Sequence, residues 1–304
     1  MKNTITMILL SFVSFIVNCN EDKSKPIKTP YQIIADAPDL DWRSLDLKNT
    51  LYITLESGVV VVEMAPKFAP NHVNNTKNLV REGVFDNTSF YRVIDGFVAQ
   101  GGPSSRKEIT KQQKGKLLID AEFTVTPKQP FAMTPLNGFD GYAQQVGYVD
   151  GFAMGRTISR NISKSKDKNW LLHCYGAFAM GRDNAANTGG IELYIVIGTA
   201  QRYLDRNTTV FGKVISGMQH IQALKRSTTL NGEVDVKKDN KIIKIQVASD
   251  LKPEQLLKLQ TMKTNSDSFK ALIVSRKNRN SEWFLHQHDY IDVCSVAVPV
   301  RIQK

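Results

Sequence analysis

The sequence predicts a mainly β domain, built as an antiparallel barrel or sandwich. Short apolar runs rich in β-branched and aromatic residues recur along the chain, and turn residues bound them. Two segments, 72–82 and 217–225, have apolar residues at the spacing of an amphipathic helix, and we expect only two or three helices in all. With 304 residues, of which 41% are hydrophobic, the chain is long enough to bury a sizeable core.

The first predicted elements form a hairpin followed by a helix. Residues 51–55 and 59–64 are β-rich runs, and Gly58 lies in the tight turn between them. The helix at 72–82 follows, and residues 90–100 return to strand character. The signal then weakens up to about residue 176, after which the predicted strands are 177–180, 193–197, 209–214 and 241–248.

The beginning of the chain predicts export. Lys2 precedes an apolar run at 7–17, which is short for a membrane span and suits a signal peptide. The run ends at Cys19 and resembles the lipobox of bacterial lipoproteins, although Asn18 stands where Gly, Ala or Ser is usual. We therefore expect a signal peptide at 1–18 and an acylated Cys19 as the first mature residue. An ordinary soluble exported protein and an uncleaved anchor are the alternatives.

Cysteine usage fits an oxidising compartment. If Cys19 carries lipid, two of the three cysteines remain, Cys174 and Cys294, and such a compartment would favour a disulfide between them. Two unrelated buried thiols are the alternative. Residues 19–48 are predicted to be a tether, because several prolines discourage regular structure there.

The net charge is strongly basic but carries little functional information. The formal charge of +11 is spread along the chain rather than gathered in one block, and no nucleic-acid motif accompanies it. General solubility explains this balance, and we predict no nucleic-acid partner.

Three blocks carry a family resemblance. They are 90–102 (Phe-Tyr-Arg-Val-Ile-Asp-Gly-Phe-Val-Ala-Gln-Gly-Gly), 187–195 and 203–214. In this order they resemble the cyclophilin-type peptidyl-prolyl cis/trans isomerases, and with the insertion and tail they resemble a bacterial exported subgroup. The resemblance implies a closed eight-stranded antiparallel barrel capped by two helices over 49–226. It also implies an insertion at about 104–176 and a C-terminal extension at 227–304, packed on the domain.

The chemistry implied by this resemblance is rotation about the bond that precedes proline. Conjugation makes the rotation slow, with a barrier of about 18–20 kcal/mol. A catalyst needs a dry pocket for the proline ring and a donor for the twisted amide, and it needs no cofactor or metal. An always-charged arginine suits the donor role.

By position, Arg92 matches the catalytic arginine of the family. Phe97 and Val98 match the wall of the proline pocket, although methionine is usual where Val98 stands. Gln100 matches the glutamine that orients the arginine and the substrate.

The second half of the site departs further from the family pattern. Glu192 replaces a glutamine and could pair with Arg92. Tyr194 replaces a pocket phenylalanine, Tyr203 replaces a tryptophan or histidine, and Leu204 is retained. These positions are expected to bind substrate.

The resemblance implies an isomerase that assists the folding of exported proteins. Its partners would be unfolded or flexible proline-containing polypeptides, together with a membrane reached through the lipid anchor. We expect a monomer in the bacterial cell envelope, on the periplasmic side. The alternative is a module on the same fold that binds proline-containing segments without turnover.

Overall fold

The computed structural model describes residues 27–103, 105–106, 109, 113–158, 167–227, 239–279 and 283–303. The predicted signal peptide at 1–18 and the lipidation site Cys19 lie outside these residues, so both stay predictions. Within the described part of the chain, no helix is long and apolar enough to cross a membrane.

The described residues form four α-helices and fifteen strands. The helices are α1 (Pro30–Asp36), α2 (Pro70–Arg81), α3 (Met218–Gln222) and α4 (Asp267–Lys277). The strands are β1 (Trp42–Ser44), β2 (Thr50–Leu55), β3 (Gly58–Met64), β4 (Thr88–Val93), β5 (Val98–Gly102), β6 (Thr134–Leu136), β7 (Gln145–Val149), β8 (Phe152–Thr157), β9 (Lys168–Leu171), β10 (Ala177–Met180), β11 (Leu193–Val196), β12 (Thr209–Ser216), β13 (Lys241–Val247), β14 (Leu259–Met262) and β15 (Val300–Ile302).

Eight of these strands close an antiparallel barrel. Their order is β10-β11-β5-β4-β13-β2-β3-β12, and β12 pairs with β10 to complete the ring. Helix α2 contacts β12 and β13, and α3 contacts β3. The predicted closed eight-stranded barrel with its helices is therefore confirmed.

The barrel core follows the two-residue period of its strands. On β2, Leu51, Ile53 and Leu55 belong to the main core cluster, in which each of them is nearly inaccessible to solvent. The intervening Tyr52 is also buried, because it packs outside the barrel near Leu259 of β14. A strand that is covered on both faces has a continuous apolar sequence, so apolar and polar residues do not alternate clearly along β2.

One predicted strand is two strands. The sequence predicts strand character over 90–100, and a turn at 94–97 divides this stretch between β4 and β5. Gly96 has a φ of +69°, a conformation that glycine adopts without steric cost. Folding back places Arg92 and Gln100 opposite each other on adjacent strands.

The insertion forms its own sheet. Strands β6 to β9 pair in sequence order as a four-stranded antiparallel sheet. Its Met154 and Leu171 join an apolar cluster with Tyr194 and Val210 on the outside of the barrel. The insertion therefore covers part of the outer barrel face instead of forming a separate body.

Two predicted boundaries were wrong. Strand β13, which was assigned to the C-terminal extension, pairs with β2 and β4 and completes the barrel. The predicted tether is folded from at least residue 30, since α1 contacts α4 and β1 pairs with β14. Pro30 does not prevent this helix because it stands in the first turn, where no intrahelical hydrogen bond is lost.

The tail and the insertion share a second core. Trp170 from β9 and Phe269 from α4 are buried in it, as are Ile291 and Val293 near the end of the tail. A disulfide joins Cys174 of the insertion to Cys294 of the tail.

One aromatic segment of the insertion, 139–142, does not bury its rings, since Phe139 is 86% exposed and Tyr142 is 49% exposed. The neighbouring Asp140 fixes this segment instead, because its carboxylate accepts two hydrogen bonds from Arg202 at 2.9 Å each.

Candidate active site

Arg92 and Gln100 form the polar half of the site. They are directly opposite each other on β4 and β5, so both side chains leave the same face of the sheet. Nη1 of Arg92 donates a hydrogen bond to Oε1 of Gln100 at 3.1 Å. The guanidinium carbon of Arg92 lies 5.7 Å from the centroid of the Phe97 ring, within the range of a cation–π contact.

Gln100 also contacts the residue that departs most from the family pattern. Its Nε2 donates to Oε2 of Glu192 at 2.7 Å and to the hydroxyl of Tyr91 at 3.2 Å. The Gln100 amide thus links the Glu192 carboxylate to the Arg92 guanidinium. Burial, together with the charge of Glu192, raises the pKa of the Tyr91 hydroxyl well above its usual value, so this hydroxyl stays protonated.

The apolar half of the site lies on the outer face of the barrel, as Arg92 and Gln100 do. Tyr194 of β11 stands opposite Gln100, and Val98 stands opposite Val196. Val98 is 2% exposed and Tyr194 is 5% exposed, and Phe97 packs against their cluster. The structure therefore brings Phe97, Val98 and Tyr194 together next to Arg92 and Gln100.

The remaining predicted positions lie in the segment between β11 and β12. Tyr203 and Leu204 belong to a short 3-10 turn, in which Tyr203 is 56% exposed and Leu204 is half-buried. Neither is part of the buried wall that contains Tyr194.

Sequence reasoning missed a buried histidine behind the wall. His173 of the insertion is completely buried, and its Nε2 lies 2.8 Å from the hydroxyl of Tyr194 and 2.9 Å from Oγ1 of Thr208. Its Nδ1 lies 2.9 Å from Oδ1 of Asp205. The apolar run before His173 indicates burial, but no local pattern indicates these partners, because they come from distant parts of the chain.

Ion pairs extend this group of contacts. Nε of Arg202 donates to Oδ2 of Asp205 at 2.6 Å, and its two terminal nitrogens hold Asp140. Burial alone would raise the pKa of the Asp140 carboxyl, but the hydrogen bonds from Arg202 and from two backbone amides outweigh it and hold that pKa below 3.8. The insertion is therefore bound to the segment that follows β11 through charged groups.

The site as a whole combines a cationic donor, hydrogen-bonded to Gln100, with a buried aromatic and aliphatic wall. Such an arrangement can hold an apolar ring while it donates hydrogen bonds to an adjacent polar group. Among its described residues, it offers no group of three or more His, Cys, Asp or Glu side chains for a metal ion.

Known proteins share both the sequence pattern and the architecture. Residues 50–247 match the family model described as cyclophilin type peptidyl-prolyl cis-trans isomerase/CLD. A Brucella suis biovar 1 protein, "Probable peptidyl-prolyl cis-trans isomerase", is 31% identical over 208 residues, which are 68% of this chain and 86% of the relative. The Helicobacter pylori J99 "Peptidyl-prolyl cis-trans isomerase" is 39% identical over 80 residues, which are 26% of this chain and 43% of the relative.

A solved structure extends the similarity beyond the barrel. The crystal structure of the cyclophilin AquaCyp293 from Hirschia baltica superposes with a TM-score of 0.69 at 26% identity, covering 91% of this chain and 99% of that one. Because 91% exceeds the share taken by residues 50–247, the match includes elements outside the family model. The chain belongs to the cyclophilin-type peptidyl-prolyl cis-trans isomerases.

Proposed function

We propose that this isomerase uses Arg92 to stabilise the twisted X–Pro amide while the proline ring rests on Phe97, Val98 and Tyr194. The observation that carries the proposal is the placement of the Arg92–Gln100 pair beside this buried wall. As the amide twists, its nitrogen becomes pyramidal and regains a lone pair, which a guanidinium N–H can then stabilise. Since such a donor stabilises the twisted state more than the planar one, it lowers the barrier.

Gln100 has two roles in this proposal. Its oxygen holds Arg92 at a fixed orientation, which removes part of the ordering cost from the reaction step. Its nitrogen donates to Glu192, which prevents a rotation of the amide that would turn Nε2 instead of Oε1 toward Arg92.

The cellular role is proposed to be the folding of exported proteins. The lipobox-like stretch that ends at Cys19 and the Cys174–Cys294 disulfide both fit an oxidising cell envelope. Its clients would be unfolded or flexible proline-containing chains, met by a lipid-anchored monomer on the periplasmic side.

A protease-coupled assay with a short X–Pro peptide tests the catalytic role. Arg92→Ala should lower kcat/KM by about 100-fold, the usual scale for the loss of one transition-state donor. Arg81→Ala is the matched control, because Arg81 is a surface arginine on α2 that pairs with Asp250 away from the site. Negligible and equal rates for wild type and Arg92→Ala would reject catalysis by this site.

A non-catalytic binding module is the second candidate. The observation that favours it is Glu192, whose negative charge is linked to Arg92 through one amide. Affinity for a proline peptide, measured by calorimetry on wild type, separates the two candidates: binding without turnover would support the module.

The anchoring proposal has its own test. In the native host, wild type should enter the detergent phase and show an acylated Cys19 by mass spectrometry, whereas Cys19→Ser should remain in the aqueous phase. A wild-type protein in the aqueous phase with an unmodified Cys19 would contradict lipid anchoring.

A further inference from the structure

We propose that His173, which the insertion contributes, is a positioning residue of the proline pocket that fixes the ring of Tyr194. The inference rests on the proposed function of the pocket and adds a residue to it. A residue outside the barrel strands thereby determines how well the barrel binds its substrate.

The first step is that the buried hydroxyl of Tyr194 needs a hydrogen-bond partner. A hydroxyl buried as deeply as this one costs free energy unless it is hydrogen-bonded. His173 Nε2, 2.8 Å away, and Thr208 Oγ1 both satisfy it. Because these two groups engage the hydroxyl, the ring of Tyr194 can serve the pocket as an apolar surface, as a phenylalanine would.

The second step is the geometry of the two rings. The rings of His173 and Tyr194 are nearly parallel, with 12° between their planes and 6.2 Å between their centroids. His173 is completely buried, so its ring has little freedom to move. A fixed ring that is hydrogen-bonded to Tyr194 limits rotation of the tyrosine about its side-chain bonds.

The third step is that His173 is itself held in place. Its backbone N–H donates to Oδ1 of Asp205 at 3.0 Å, and its Nδ1 lies 2.9 Å from the same oxygen. Asp205 is fixed in turn by Arg202, and Arg202 by Asp140 of the insertion. The next residue in the chain, Cys174, is tied to the tail by the disulfide. His173 is thus held by the segment between β11 and β12, with Asp140 of the insertion and the disulfide to the tail as further supports.

These contacts predict which kinetic constant responds. His173 contacts Tyr194 of the pocket wall, and it takes no part in the Arg92–Gln100 hydrogen bond. Loss of His173 should therefore weaken ground-state and transition-state binding of the proline ring alike, which raises KM and leaves kcat nearly unchanged.

The test compares His173→Ala and His173→Gln with a matched buried histidine. His72 is 2% exposed, and its Nδ1 lies 2.7 Å from Oε2 of Glu122, yet its aromatic contact is with Phe211 of the barrel core. His173→Ala should raise KM for a short X–Pro peptide about tenfold, the scale of one lost buried hydrogen bond. His173→Gln can restore a donor toward Tyr194, so its KM should lie within about threefold of wild type. His72→Ala should lower Tm without changing KM.

A double-mutant comparison separates the positioning effect of His173 from a general loss of stability, because only the former disappears when Tyr194 has no hydroxyl. In a Tyr194→Phe background no hydroxyl remains to be held, so replacing His173 by Gln or Ala should change KM by no more than about twofold. An unchanged KM for a folded His173→Ala, with a Tm loss like that of His72→Ala, would overturn the positioning role.

Failure of the proposed function gives a different result. If wild type lacks turnover while it still binds a proline peptide, catalysis by Arg92 is wrong. The dissociation constants of the same variants then test His173, with the same fold-changes expected as for KM. If the wild-type and Arg92→Ala rates differ but replacing His173 does not change KM, only the positioning role is wrong.

Discussion

Gln100 uses both ends of its side-chain amide, and this decides how Glu192 acts. The amide oxygen accepts from Arg92 and the amide nitrogen donates to Glu192. The sequence left open a pairing of Glu192 with Arg92, and the hydrogen bond to Gln100 gives the carboxylate a different direct partner. Its charge still lies close enough to reduce the positive potential of Arg92 in a half-buried site.

Glu192→Gln should raise activity. An amide oxygen at this position can still accept from Gln100, while the negative charge is removed, so Arg92 should stabilise the twisted amide better. We expect kcat/KM to increase by about threefold to tenfold in the protease-coupled assay. The same substitution in an Arg92→Ala background should have no effect, and a gain there would mean that the charge acts through another group.

The stability lost in Asp140→Asn should depend on pH in a defined direction, because the variant lacks the carboxyl that titrates in the wild type. The pKa of Asp140 is held below its ordinary value of 3.8, so the ionised carboxylate contributes stability above about pH 4 and loses it as the pH falls through the lowered pKa. At pH 7 we expect the variant to lose about 1–3 kcal/mol of unfolding free energy. The difference from wild type should shrink toward pH 3, as measured by denaturant unfolding.

The control for this prediction is Asp39→Asn. Asp39 also pairs with an arginine, Arg301, but its side chain is 93% exposed, so its loss should cost less than about 1 kcal/mol at any pH. An equal effect of both substitutions would show that burial of the Asp140–Arg202 pair has no energetic consequence.

At the scale of elements, the turn between β4 and β5 depends on a glycine that follows β11. A Cβ added to Gly198 would lie 1.8 Å from the carbonyl oxygen of Gly96, far inside contact distance. In the present structure this close approach accompanies a hydrogen bond of 2.9 Å from the Ile197 amide to the Phe97 carbonyl. The turn that carries Phe97 is therefore held at its backbone by the two residues that follow β11.

Gly198→Ala should displace this turn and reduce activity. A shift of about 1 Å in the pocket wall is enough to lower kcat/KM by roughly tenfold to 100-fold. Gly141→Ala is the matched control, since a Cβ there meets nothing within 4 Å. Wild-type activity of Gly198→Ala would show that the turn adapts without moving Phe97.

At the scale of the whole molecule, the disulfide connects parts that are far apart in sequence. Cys174 and Cys294 are separated by 120 residues, and they join the insertion to the tail where both bury side chains in a common core. A cross-link over so long a loop restricts the unfolded chain strongly on the chain-entropy model.

Removal of the disulfide should cost about 4–5 kcal/mol of unfolding free energy. The measurement is denaturant unfolding of wild type with and without a reductant. The double variant Cys174→Ser with Cys294→Ser should have the unfolding free energy of reduced wild type, and the reductant should not change it. A stability that is independent of reductant in wild type would contradict the contribution of this bond.

The family, the barrel and the grouping of Arg92, Phe97 and Gln100 can be read from the sequence alone. The reason is that 90–102 is a local stretch, so its residues keep their order on two paired strands and place Arg92, Phe97 and Gln100 together. Apolar patterning likewise located most barrel strands, since each strand buries at least one face.

The way in which the rest of the chain surrounds that site follows from tertiary contacts that the sequence does not reveal. The eighth barrel strand, the folded lead-in and the His173–Tyr194 contact all join residues that are remote in sequence. Partners of this kind leave no periodic signal, because hydrogen bonds and packing between distant segments depend on the direction in which each segment crosses the barrel. The sequence predicted the pocket wall, and the fold determined what holds it.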